Sequence, residues 1–433
     1  MSGNSNQVSP LGKMHSPPSY DKVDIVDTEG GRCIFEDDRG APVKFTSSSV
    51  PAISGPLKRG GSVFGRLATV AVSAMLGLVA CELIMRVFPE FQVPVSDEQY
   101  LFCGAHKTRH QLHPLYGYTE IPGNIYFERF SQFEPWNFVR INAEGFRDNA
   151  PRTGKPVIVL GDSMVRGSLV KESETFTALL NTWHPELSFW NYGVGGYGQA
   201  NSVRLYEDKG AGVDHRLVVQ AVSLSTDLED NAERATVTPD SVEINIAPAN
   251  QHPAKPGSFM QMHIFLWNNS KLYSAVFASF LKPYFGNSHA RRDMDNALEV
   301  TRRLLVRLAA DAKSNHADLL VLVLPGWAEM AGRDDKMQPD RQRDVIRRFV
   351  AETPGTYVVD ATSLLKREDA SHTYGKVDKH LNPFGHFLVA EAVDQWLVND
   401  WPGRPSGLSL KPRQFVGRPE ITPDCAHLPS PGQ

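Results

Sequence analysis

The chain has 433 residues, a length that suits one large domain with appendages. Hydrophobic residues make up 41% and charged residues 22%, ordinary values for a globular protein. The formal net charge of -4 excludes a nucleic-acid binder held by a strong basic field.

Residues 1–61 are rich in Ser, Pro, Gly and Asp and carry few large apolar clusters, so they read as a disordered cytoplasmic tail. Residues 62–88 contain the main apolar run, LATVAVSAMLGLVACELIM, from Leu67 to Met85. Its length matches the roughly 20 residues needed to cross a bilayer core, which predicts a transmembrane helix. Glu82 is its one charged residue. Lys58, Arg59 and Arg66 precede the run and only Arg86 follows closely, so the larger C-terminal part is expected outside the cytoplasm. Two other readings stand beside it. One is a buried core helix; the other is a cleaved signal, since Leu78-Val79-Ala80-Cys81 looks like a lipoprotein cleavage box.

Residues 89–155 carry many aromatics and turn formers, including HPLYGYTEIPGN and VRINAEGFRD, and read as a connecting region of strands and loops packed on the next domain. From residue 156 to 400 the pattern alternates. Strands are expected at 157–160, 187–191, 217–224, 319–324 and 357–359, and helices at 174–183, 200–209, 293–313, 340–350 and 387–398. The fold class is therefore α/β, a doubly wound parallel sheet with helices on both faces, in the three-layer manner of flavodoxin. Residues 232–292 interrupt the rhythm and read as an insertion covering one edge of the site; residues 401–433 form a C-terminal tail.

In an open parallel sheet, ligands bind outside the carboxyl ends of the strands. After the first strand comes Gly161-Asp162-Ser163, and after the second NYGVGGYG, residues 191–198. After the third comes Ser225-Thr226-Asp227, and before the last helix Asp378-Lys379-His380-Leu381-Asn382-Pro383. A serine hydroxyl needs an adjacent base, and an imidazole base needs a partner that fixes its tautomer. Ser163 is thus the candidate nucleophile, His380 the base and Asp378 its partner, with His386 as a competing base.

These segments resemble the blocks of the SGNH (GDSL-like) hydrolases. VIVLGDSMVRG is similar to the block that carries the nucleophile, NYGVGGYG to the glycine block, and VDKHLNPFGH to the block with Asp and His. The apolar run, ELIMRVFP and NAEGFRD look like a membrane-anchored bacterial branch of that family. The resemblance implies an oxyanion hole built from the N–H of Ser163, the N–H of Gly196 and a third donor, usually asparagine. At that third position stands Thr226, whose hydroxyl is shorter than an amide, and Asn231 is an alternative donor.

The function so implied is a serine esterase acting on carboxylic esters, acetyl esters first, through an acyl-enzyme. Its expected site is a bacterial inner membrane, single-pass, with the catalytic domain outside the cytoplasm. Its partners would be an ester or acylated carbohydrate, and the membrane through Leu67 to Met85. The alternatives are an O-acyltransferase or deacetylase on an envelope polysaccharide, and a non-catalytic carbohydrate-binding module on the same fold. The pattern lacks the Gly-x-Ser-x-Gly of α/β-hydrolases, a P-loop and G-x-G-x-x-G. No cofactor or metal is expected. His106, His110 and His113 share helical spacing but have no carboxylate signature beside them, and Arg302, Arg303 and Arg307 read as a solvated helix face. No C-x-x-C pair exists among the four cysteines; Cys103 and Cys425 share the far side of the apolar run and are available to pair in an oxidising compartment.

Overall fold

The structure, a computed structural model, describes residues 63–88, 98–131, 133–246, 262, 266, 270–276, 294–333, 337–417 and 422–428. The expected tail over 1–61 and most of the expected insertion lie outside the described residues. Contacts divide the chain into a unit ending at Val70 and a second unit from Ala71 to Gln433.

The apolar run forms one helix, Val63–Val87. Its window from Gly65 to Val87 has a mean hydropathy of 2.1 and no buried residue, so the buried-core reading fails. By length and composition the helix is able to cross a bilayer. Near its end, the Glu82 carboxylate accepts hydrogen bonds from Ser270 Oγ (2.9 Å), the Lys271 amide (3.0 Å) and the Leu272 amide (2.9 Å). These amides open the short helix Lys271–Val276, so Glu82 satisfies donors that a helix start leaves unpaired.

Five short antiparallel strands fill the connecting region: β1 (Gln99–Phe102), β2 (His110–His113), β3 (Gly117–Glu120), β4 (Ile125–Arg129) and β5 (Asn137–Arg140). β4 sits between β1 and β5, and β2 pairs with β3 as a hairpin. The helical spacing of the three histidines is therefore not realised. His110 and His113 lie on a strand, His110 tilted against the Tyr118 ring and His113 stacked on Tyr116. Among the described residues no group of side chains is arranged to hold a metal.

The α/β expectation holds. β6 (Lys155–Gly161), β7 (Leu187–Gly193) and β8 (Leu217–Ser223) join β11 (Asp318–Leu324) and β12 (Thr356–Asp360) in one sheet ordered β12-β11-β8-β6-β7, every pairing parallel. A hairpin of β9 (Ala235–Val237) and β10 (Val242–Ile244) branches from it. The central strands are mainly apolar, with Gln220 buried in β8, because both their faces are covered. On one face lies a core that includes Val203, Leu304, Leu305, Leu308, Ile346 and Phe349, brought by helices Gln199–Leu205, Met294–Ser314 and Pro339–Glu352. The other face packs Phe176, Leu180, Leu364, Val389, Val393 and Trp396, from helices Phe176–Trp183, Thr362–Leu365 and Pro383–Asn399.

Two segments are less free than their composition suggests. Arg302 and Arg303 both hold Glu299, Arg303 also donates to the carbonyls of Thr238 (2.7 Å) and Ser241 (3.0 Å), and Arg307 pairs with Glu207. That helix face is a clamp on the β9–β10 hairpin rather than a simply solvated surface. The C-terminal segment is a strap: Trp401 is buried, Arg413 lies over Trp183, and Phe415 packs on Phe384 and Phe387. Cys425 is disulfide-bonded to Cys103 with Cα atoms 5.1 Å apart.

Candidate active site

The first strand leaves β7 on one side and β8 on the other, so the chain reverses its direction of travel across the sheet at β6. A crevice opens at such a switch point. Ser163 stands there, two residues beyond β6. Gly161 allows the tight exit, since a Cβ would come within 2.4 Å of Val165 Cγ2. The Asp162 side chain then accepts from the Met164 amide at 2.9 Å and starts the short helix Ser163–Arg166.

His380 lies on the loop before helix Pro383–Asn399, and its Nε2 is 2.6 Å from Ser163 Oγ. Its Nδ1 donates to Asp378 Oδ2, which leaves Nε2 as the acceptor for the serine proton. The imidazole is 22% exposed and the Asp378 side chain 10%. Burial opposes a charge on His380, yet the hydrogen bond and charge of Asp378 outweigh it and raise the imidazole above its ordinary value. The loop is fixed from outside: Glu134 Oε1 accepts from the amides of Val377 (2.9 Å) and Asp378 (3.1 Å), and Gly375 N–H donates to the His380 carbonyl at 2.8 Å. His386, the competing base, is 1% exposed, accepts from the Phe176 amide at 3.2 Å, and is pushed down to about 3 by burial. It is a packing residue.

Gly196 lies on the opposite rim at φ 78°, a left-handed conformation that glycine adopts freely. Its neighbours orient the turn. Tyr118 Oη donates to the Gly195 carbonyl at 2.7 Å, and Arg234 donates to the Gly196 carbonyl at 2.8 Å. With those carbonyls engaged outward, the N–H groups of Ser163 and Gly196 pair with no backbone acceptor among the described residues. Arg109 also borders this rim. A Cβ on Gly195 would lie 3.7 Å from Arg109 Nη2 and 3.8 Å from Ser163 Cβ.

Thr226 stands at the exit of β8, beside Asp162, as its position in the sequence implied. Its Oγ1 has three acceptors within reach: Ser223 Oγ at 3.2 Å, Asp227 Oδ1 at 3.4 Å and Asp162 Oδ2 at 3.5 Å. A hydroxyl carries one proton, so these neighbours compete for it. Burial raises both Asp162 and Asp227, and the charge of Asp162 raises Asp227 further. Asn231 is no substitute donor. It is fully buried, donates to Gln199 and to Thr301 Oγ1 (3.0 Å), and accepts from the Ala200 amide (3.3 Å). Tyr192 and Tyr197 are buried in the sheet core rather than lining a pocket.

Behind Ser163 sits a charged cluster that the sequence reading did not identify. Arg166 is 0% exposed and binds Glu120, both oxygens of Glu128 (2.7 and 3.0 Å) and Tyr126 Oη (2.7 Å). Arg147, in the NAEGFRD stretch, donates to the carbonyls of Gly167, Val170 (2.7 Å) and Phe138 (3.0 Å). The antiparallel strands are thereby locked to the helix that begins at Ser163.

No family model matches the chain, and no curated protein matches it. Solved structures with a similar arrangement include an α/β hydrolase from the metagenome of Lake Arreo, Spain, at 16% identity over 56% of this chain and 94% of that one, TM-score 0.35. A member of the lipolytic G-D-S-L family from Veillonella parvula shows 12% identity over 56% and 97%, TM-score 0.36. An acetylxylan esterase from Geobacillus stearothermophilus shows 14% identity over 57% and 95%, TM-score 0.34.

Proposed function

We propose that the protein is a serine esterase that cleaves carboxylic esters, acetyl esters first, through an acyl-enzyme. The observation that carries this reading is the 2.6 Å approach of His380 Nε2 to Ser163 Oγ, with Asp378 on the other ring nitrogen. His380 takes the serine proton as Oγ attacks the acyl carbon. The oxygen that becomes negative is stabilised by the N–H groups of Ser163 and Gly196. His380 then hands its proton to the departing alkoxide, and the acyl group stays on Oγ. Water attacks next, with His380 again as base, and releases the acid. Acetyl is the acyl group we assign because the blocks around Ser163, Gly196 and His380 resemble those of ester hydrolases.

We place the catalytic domain outside a bacterial cytoplasm, tethered by the helix Val63–Val87 in a single pass. Two features support this. Positive residues cluster before the helix, and the Cys103–Cys425 disulfide, beyond it, suits an oxidising compartment. Such a setting brings acylated envelope polysaccharide within reach as the substrate.

A fluorophosphonate probe tests the nucleophile. Wild-type protein is expected to be labelled and to release acetate from 4-nitrophenyl acetate, and Ser163→Ala to do neither. Labelling that persists in Ser163→Ala, or a folded wild type that neither labels nor cleaves any ester, overturns the reading.

A further inference from the structure

Three side chains at the mouth of the site are used by none of the steps above. Trp327 opens the turn after β11, and Gly326 before it lies so close to Ser225 that a Cβ would come within 2.8 Å of Ser225 Cβ. Trp327 therefore borders the strand exit that carries Thr226. Lys379, the residue before the catalytic histidine, holds its Nζ 4.2 Å from the Trp327 ring centroid. Arg333 places its guanidinium carbon 4.5 Å from the same centroid. One half-buried indole thus gathers two cations, one of them on the residue next to His380.

These cations differ from many of the domain's arginines, though Arg147 also meets only carbonyls and Arg129 also rests on an indole, that of Trp136. Arg109, Arg152, Arg166, Arg204, Arg234, Arg303, Arg307 and Arg343 each meet a carboxylate. Lys379 and Arg333 meet none among the described residues; the ammonium of Lys379 donates to the Lys376 carbonyl at 2.5 Å. Glu134, the acid beneath this loop, spends one oxygen on the amides of Val377 and Asp378; its charge acts on Lys379 from a distance, with no direct ion pair among the described residues. Lys379 also occupies φ 69°, a region that non-glycine residues rarely adopt, so the loop holds the lysine over the indole against a backbone preference. A cation resting on an aromatic face is weakly held, and an incoming anion competes well for it.

We propose that Lys379, Arg333 and Trp327 form a subsite for an acidic group of the substrate, so that the preferred ester is carried on an anionic saccharide, one with a carboxylate near the acylated hydroxyl. This rests on the esterase reading and narrows its substrate class. The two cations bind the carboxylate while the indole edge packs on the sugar ring, and the ester is presented to Ser163.

The test compares the mono-acetyl ester of methyl glucopyranosiduronate with that of methyl glucopyranoside. The wild type is expected to favour the acidic ester by about tenfold or more in kcat/KM at low salt. That preference should shrink as salt rises and the screening length falls from about 30 Å to about 3 Å. Lys379→Gln with Arg333→Gln should abolish the preference, and Lys379→Arg should retain most of it. Equal use of both esters by the wild type, or a preference that the double variant keeps, overturns the subsite. Calorimetry on Ser163→Ala protein with the two unacetylated glycosides separates the two readings. Selective binding of the uronate without turnover by the wild type upholds the subsite and overturns the esterase; turnover without charge-selective binding does the reverse.

Discussion

Replacing Thr226 by asparagine should speed acylation. In the structure the threonine hydroxyl has one proton and three acceptors, Ser223 at 3.2 Å, Asp227 at 3.4 Å and Asp162 at 3.5 Å. An oxyanion would be a fourth competitor and must win the proton from carboxylates that already hold it. An asparagine amide carries two N–H donors, so one can satisfy Asp162 while the other faces the crevice. A missing oxyanion donor costs about 2.7–4 kcal/mol in the barrier, or about 10²–10³ in rate. Some of that gain is lost in reorganising the neighbours, so Thr226→Asn is expected to raise the acylation rate about 10–100-fold. Thr226→Val, which removes a hydroxyl already engaged elsewhere, should lower it less than tenfold. Single-turnover release of 4-nitrophenol from the acetate ester measures the step directly, with unfolding curves as the control. A well-folded Thr226→Asn protein that is no faster, or a Thr226→Val protein slowed a hundredfold, would show that the hydroxyl itself serves the oxyanion.

Four further outcomes follow from geometry already described. His380 must be neutral to act as base and its protonation is raised above 6.5, so kcat/KM should climb with pH through a midpoint above that value. Asp378→Asn removes the raising charge and leaves burial, which lowers it, so the midpoint should move down while the rate falls about 10⁴-fold; an unmoved midpoint would refute the assignment. Arg166→Met strands Glu128 in the interior, leaves Glu120 to pair with Arg109 alone, and should cost about 3–5 kcal/mol in denaturant unfolding, whereas a loss under 1 kcal/mol would mean the cluster is hydrated. Cys425→Ser should cost about 2–5 kcal/mol and expose the segment after Trp401 to protease; equal melting temperatures for oxidised and reduced wild type would contradict this.

The parallel sheet was legible because buried strands such as β11 are written as apolar runs, with β8 broken only by Gln220, and the strand exits are marked by short polar clusters. Ser163, Asp378, His380 and Gly196 were readable there. What escaped detection depends on contacts between distant segments. Tyr118 and Arg166 act through strands of four or five residues whose pairing no periodicity announces, and Glu134 reaches the His380 loop from between β4 and β5. Asn231 misled for a related reason: on the helix Asp227–Arg234 it turns inward, toward Gln199 and Thr301, and a polar residue gives no sign in sequence of which face it occupies. His110 and His113 are packed histidines rather than ligands, as the missing carboxylate signature suggested, but they sit on a strand, because spacing alone cannot tell a turn of helix from a strand of four residues.

The cystine between positions 103 and 425 encloses nearly all of the globular portion in one covalent ring. Two kinds of damage then become unequal. A peptide-bond cut inside the ring leaves both pieces joined, with the serine and histidine segments on one tethered body. A premature stop that deletes only the last few residues before the ring closes leaves every catalytic group in place yet never seals it. The segment around position 425 therefore bears on the durability of a site whose residues lie well upstream of it.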